Sequence, residues 1–166
     1  MALDTFVAGR YAGAYNAVDV GITEGGFEVS LGSKAEMVNQ TDAFGESLID
    51  GIFRGGECEL QFQAVAYKAG SISPFWPWGA GLGSMATPGA PIAQLFSNVA
   101  QAMVLSSTAN TPAATSPASL TASKSILAPN NPAKLLFNST LRKVPVRLAV
   151  LPVSDGTGGF RWFSMT

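Results

Sequence analysis

Strict alternation is clearest in the run "ECELQFQAVAYK", Glu57–Lys68. Cys58, Leu60, Phe62, Ala64 and Ala66 point one way, and Glu57, Glu59, Gln61 and Gln63 point the other. A period of two over that length specifies a β-strand with one apolar and one polar face. At about eleven residues it is roughly twice as long as a usual strand. The apolar side must be covered. The polar side must meet water or a solvated cavity.

Similar patterns recur along the chain. In "GFEVSLGSKAEMVNQ", Phe27, Val29 and Leu31 alternate with Glu28 and Ser30, and "GS" offers a turn, so a hairpin running to about Asn39 is expected. "LRKVPVRLAVLPV" places Val144, Val146, Leu148 and Val150 on one face. Pro145 has no ladder donor and belongs at an edge, a bulge or a strand start. "KLLFNST" precedes that strand, "SLTASKSILAP" is a further, weaker strand, and "FRWFSMT" ends the chain after a "DGTGG" turn. Two segments carry helical spacing. "APIAQLFSNVAQAMVL" opens on Pro91 and puts Ile92, Leu95, Phe96 and Val99 on one face. "GESLIDGIF" fits a second, short helix. There is no internal repeat. The 166 residues form a single expected domain, 1–166, with an extended N-terminal segment over about 1–12 and a long Gly/Pro/aromatic loop over about 70–91.

The residue types missing from the chain exclude whole classes of chemistry. With no histidine, Ser-His-Asp, Cys-His and His-rich zinc sites are ruled out. The lone Cys58 cannot form an intrachain disulfide and reads as a buried, inert thiol. Asp42, Glu46 and Asp50 recur every four residues, which does not match the alternate-position oxygen ligands of a calcium loop. Glu57 and Glu59 share a strand face about 6.6 Å apart, but no nucleophile or oxyanion donor accompanies them. "GAGLG", Gly79–Gly83, lacks the Lys-Ser/Thr of a phosphate loop. The expectation is therefore a non-enzyme with no catalytic residues, metal or cofactor.

The net charge of −1 leaves no basic footprint for nucleic acid. No run of about 18 apolar residues predicts a membrane span, and "MALDTFVAGR" lacks the basic start and apolar core of an export leader. The Asn-x-Ser/Thr matches at Asn39 and Asn138 are read as chance. Only 13% of residues are charged. A low charge density fits a surface partly covered by partner chains. In "PFWPWG", Phe75, Trp76 and Trp78 suit an anchor at a subunit contact, with Leu82 and Met85 further along the same loop. A sugar-stacking platform is the alternative.

The stretch "TDAFGESLIDGIFRGGECELQFQAVAYK" resembles a segment of the major tail tube proteins of long-tailed bacteriophages. There an acid, a glycine and aliphatics lead through Arg-Gly into a long strand. "FVAGRYAGAYNAVDVGITEGGFEV" is similar to that family's opening hairpin, and "KVPVRLAVLP" to its C-terminal strands. The resemblance covers most of the chain through structural motifs. It implies a mainly β, antiparallel sandwich or barrel-like domain with one flanking α-helix. Hexameric rings of such domains stack into a hollow tube through which DNA is delivered. With about four long strands per subunit, the wall circumference is on the order of 150 Å, wide enough for a duplex.

On that resemblance Glu57, Glu59, Gln61, Gln63, Glu28 and Ser30, with part of Lys34 and Glu36, would line the lumen. The wall would be acidic or neutral and would not hold DNA. Phe75, Trp76, Trp78, Leu82 and Met85 would make inter-subunit or ring-stacking contacts. Implied partners are further copies of the chain and tail terminator, tape-measure and distal tail proteins, with no membrane. The implied location is the virion, after assembly in the host cytoplasm. Other readings are a tail terminator or secretion-type tube protein, and a capsid-decorating or carbohydrate-binding β-sandwich.

Overall fold

The computed structural model describes residues 10–40, 47–66, 75, 95–108, 118–129 and 143–166. They form a mainly antiparallel β fold. The strands are β1 (Tyr11–Tyr15), β2 (Val18–Asp19), β3 (Ile22–Gln40), β4 (Ser47–Ala66), β5 (Gln101–Ser107), β6 (Ser119–Leu127), β7 (Val144–Val150), β8 (Val153–Ser154), β9 (Phe160–Arg161) and β10 (Ser164–Met165). One helical turn, α1 (Phe96–Val99), precedes β5.

The main sheet runs β2-β1-β5-β6-β7-β4-β3, with β10 on β6, and does not close. It curls so that one face becomes the interior. Leu60, Phe62 and Ala64 of β4, Val144, Val146 and Leu148 of β7, Met103 and Leu105 of β5, and Tyr15 of β1 share one buried cluster. The two ends of the sheet approach each other at Gly13 and Phe27. A Cβ on Gly13 would lie 2.5 Å from the Phe27 ring, so only glycine lets β1 pass this close.

Tyr15 has no exposed surface. Its hydroxyl donates to the Ser125 carbonyl at 3.0 Å, and the buried Ser125 hydroxyl donates to the Gln101 carbonyl at 2.9 Å. These bonds satisfy the buried hydroxyls of both side chains. A two-residue loop, Asn16–Ala17, joins β1 to β2 with both residues at positive φ, 50° and 61°. That is the geometry of a primed turn, which matches strand twist and favours Asn-Gly. Ala17 carries the steric cost of the left-handed region. Ala17→Gly is therefore expected to stabilise the fold by about 1 kcal/mol, read as a higher urea midpoint with unchanged slope.

Three expectations about secondary structure need correction. "GS" is not a turn. Gly32 and Ser33 pair with Glu57 and Gly56 in mid-strand, and the reversal falls between Gln40 and Ser47. Gly32 is not among the positive-φ glycines that a two-residue turn would need. "GESLIDGIF" is not helical, because from Ser47 onward it pairs with β3 as the start of β4. Of the helix expected from Pro91, the described residues show α1 alone, which buries no residue. Leu95 and Ala100, on either side, are extended. "QAMVLSS" becomes β5 because Met103 and Leu105 alternate into the core and its backbone is paired on both sides, with β1 and β6. Non-local pairing overrides a weak helical period here.

The other described patterns appear as expected, whereas "KLLFNST", residues 1–9 and the loop over about 70–91 except Phe75 lie outside the described residues. Pro145 is the second residue of β7, before the stretch that pairs with β6. The "DGTGG" segment closes β8 onto β9, with the Asp155 carboxylate accepting from the Thr157 and Gly159 amides. Those bonds, that of the Thr157 amide first, hold the Asp155 carboxyl below its usual range.

Candidate interaction surface

The register of three strands builds a polar face opposite the core. Glu28, Gln61 and Arg147 form one cross-strand row, and Ser30, Glu59 and Ala149 the next. Glu24 and Gln63 form a third row with Pro145, and Gly32 faces Glu57. The six polar residues singled out from the alternation, Glu57, Glu59, Gln61, Gln63, Glu28 and Ser30, therefore lie together.

Apart from Lys34, sequence reasoning missed the cations that the fold adds to this face. Lys143 Nζ lies 2.7 Å from Glu24, and Lys34 Nζ lies 2.8 Å from Glu57. Arg147 donates through Nε to Glu59 at 2.6 Å, and Arg54 through Nε to Glu36 at 2.9 Å. Both arginines also place an Nη2 on the same carboxylate oxygen. Glu57 raises the Lys34 ammonium above its ordinary range through that hydrogen bond and its charge. The register places Glu28 and Asp50 on this side as well. The face is a ladder of cross-strand ion pairs with a small excess of acid, not a bare acidic wall. The alternation of "VPVRLAV" already placed Arg147 opposite Val146 and Leu148. Its proximity to Glu59 depends on a pairing 88 residues apart in sequence.

The β3–β4 hairpin outgrows the sheet. β7 pairs with β4 only from Cys58 onward, so among the described residues the part beyond Cys58 is a two-stranded arm about 30 Å long. Its two sides differ. The ion pairs Lys34–Glu57 and Arg54–Glu36 continue along one side. The other side extends the core face as Leu31, Ala35 opposite Phe53, and Met37. Leu31 is 65% exposed, Phe53 67% and Met37 58%. The core ends where the Trp162 indole covers Gly56. A Cβ at that position would sit 2.7 Å from the ring, so the glycine is what seats the tryptophan. Among the described residues β3 has no partner on its outer edge.

Cys58 is buried, and desolvation followed by the nearby Glu59 charge pushes its thiol up to about 11. A thiol held protonated at neutral pH is a packing group. Phe75, grouped above with the subunit-contact residues, is also buried. It stacks on Tyr15 at 4.7 Å and tilts against Phe62 at 5.8 Å, so its ring is occupied within the chain. Trp76, Trp78, Leu82 and Met85 lie outside the described residues.

Comparison with protein-family models gives no match, and comparison with curated proteins gives none either.

Proposed function

We propose that this chain is a structural subunit of a phage tail tube, whose hexameric rings stack into a conduit for DNA during infection. The observation that carries the reading is the arm. A core face that continues about 30 Å past the last covering element, with Leu31, Phe53 and Met37 exposed, is a surface shaped for burial. Among the described residues the outer edge of β3 is unpaired, a row of backbone groups that another chain can extend. The opposite face, polar and close to neutral, suits a wall past which a polyanion slides. The sequence resemblance supplies the particular assembly, its tail terminator, tape-measure and distal tail partners, and its place in the virion.

Concentrated purified protein viewed by negative-stain electron microscopy is expected to show hollow tubes. Single rings without tubes would point to another ring-forming component such as a terminator. Monomers at all concentrations would overturn the reading.

A further inference from the structure

We propose that the carboxylates of the ion-pair ladder are built-in counter-ions that mask a latent DNA-binding stripe. The inference rests on the tail tube reading of this face and names what its side chains do. Every cation that the described residues place on the face is paired: Lys143 with Glu24, Arg147 with Glu59, Lys34 with Glu57 and Arg54 with Glu36. Counted along β4 from the level of Gln63 to that of Ile52, the four pairs span about 36 Å. Four unmasked cations along such a stripe would track a phosphate backbone.

Duplex DNA gains affinity by releasing its condensed counter-ions to protein cations. A cation already paired with a carboxylate presents little net charge to a phosphate, so counter-ion release gains little. The paired carboxylate also sits well inside a Debye length of about 8 Å and repels the phosphate. Pairing also has an advantage over simply lacking cations. The cross-strand pairs tie β3 to β4 and to β7 while leaving the face nearly neutral.

The test is a fourfold variant, Glu24→Gln, Glu36→Gln, Glu57→Gln and Glu59→Gln, in the full chain. Binding of a fluorescent 30-base-pair duplex is measured by anisotropy from about 50 to 200 mM salt. The charge-matched control, set against Glu57→Gln with Glu59→Gln, is Asp19→Asn with Asp155→Asn, both outside the four ladder pairs. The ladder variant is expected to bind at least tenfold more tightly than wild type at low salt. Its log–log salt slope should be steeper by about 2 to 4, and adding Lys34→Gln and Arg147→Gln should remove about half of that steepening. Circular dichroism checks folding, and Glu57→Gln with Glu59→Gln replaces the fourfold variant if that one does not fold.

Equal binding by the double ladder variant and its control would assign the effect to net charge and overturn the proposal. So would no binding by either, or wild-type binding as tight as the variant's. The measurement does not require tubes, so it can succeed where electron microscopy shows none, and the two readings fail separately.

Discussion

Phe53→Asp is expected to abolish self-association while leaving the unfolding midpoint of the monomer nearly unchanged. The side chain is exposed on the arm, where a substitution alters monomer stability by no more than about 0.5 kcal/mol. In an assembly the same position would be desolvated next to Leu31 and Met37. An unpaired carboxylate there costs several kcal/mol per contact, repeated around a ring. Sedimentation velocity at high protein concentration checks this. Ile52→Ser is the companion variant, because Ile52 pairs with Glu36 on the ion-pair side. It is expected to assemble like wild type. Normal tubes from Phe53→Asp would show that the apolar side of the arm is not an interface.

A second large effect is expected at alkaline pH. Burial raises the Tyr15 hydroxyl from 10.0 to about 12, and the Cys58 thiol moves from 9.0 to about 11. Both groups hold their proton more tightly when folded. Their contribution is therefore complete below pH 9 and is lost as pH rises, between about 9 and 11 for Cys58 and between about 10 and 12 for Tyr15. Two units each correspond to on the order of 2–3 kcal/mol per group. The sum is comparable with the whole stability of a small domain. Urea midpoints should fall steeply from pH 9 to 12. Tyr15→Phe, which gives up the bond to the Ser125 carbonyl at about 1 kcal/mol, should flatten the upper part of that fall. Cys58→Val should flatten the lower part. Identical alkaline limbs in all three proteins would contradict the assignment.

Where each strand has to satisfy two different environments, its pattern is visible in the chain. Leu60 and Phe62 are buried and Glu57 and Gln61 are not, as the period of two requires. Val144, Val146, Leu148 and Val150 follow the same logic. The pattern fails on the arm and around α1, where no buried face disciplines the local sequence. "GESLIDGIF" and "APIAQLFSNV" carry apolar residues at helical spacing, yet the described large ones, Ile52, Phe53, Leu95 and Phe96, are exposed. The ion-pair partners were invisible for another reason. Lys143 meets Glu24 across 119 positions and Arg147 meets Glu59 across 88. Only the strand order β7-β4-β3 brings them together.

The strand order also has a consequence for synthesis on the ribosome. β4 lies between β3 and β7, but β3 and β4 leave as neighbours while β7 begins 78 residues after β4 ends. At roughly 5–20 residues per second the interval is on the order of 4–16 s. Throughout it, the hairpin has both lateral edges open and its Cys58–Ala64 side uncovered. Neighbouring nascent chains on one messenger would meet in that state, before β7 has claimed the inner edge. The inner edge of β4 is therefore where premature pairing between copies competes with folding. The arrival of Val144–Val150 ends that competition along Cys58–Ala64 and, among the described residues, leaves β3's outer edge and the arm part of β4 open to another chain.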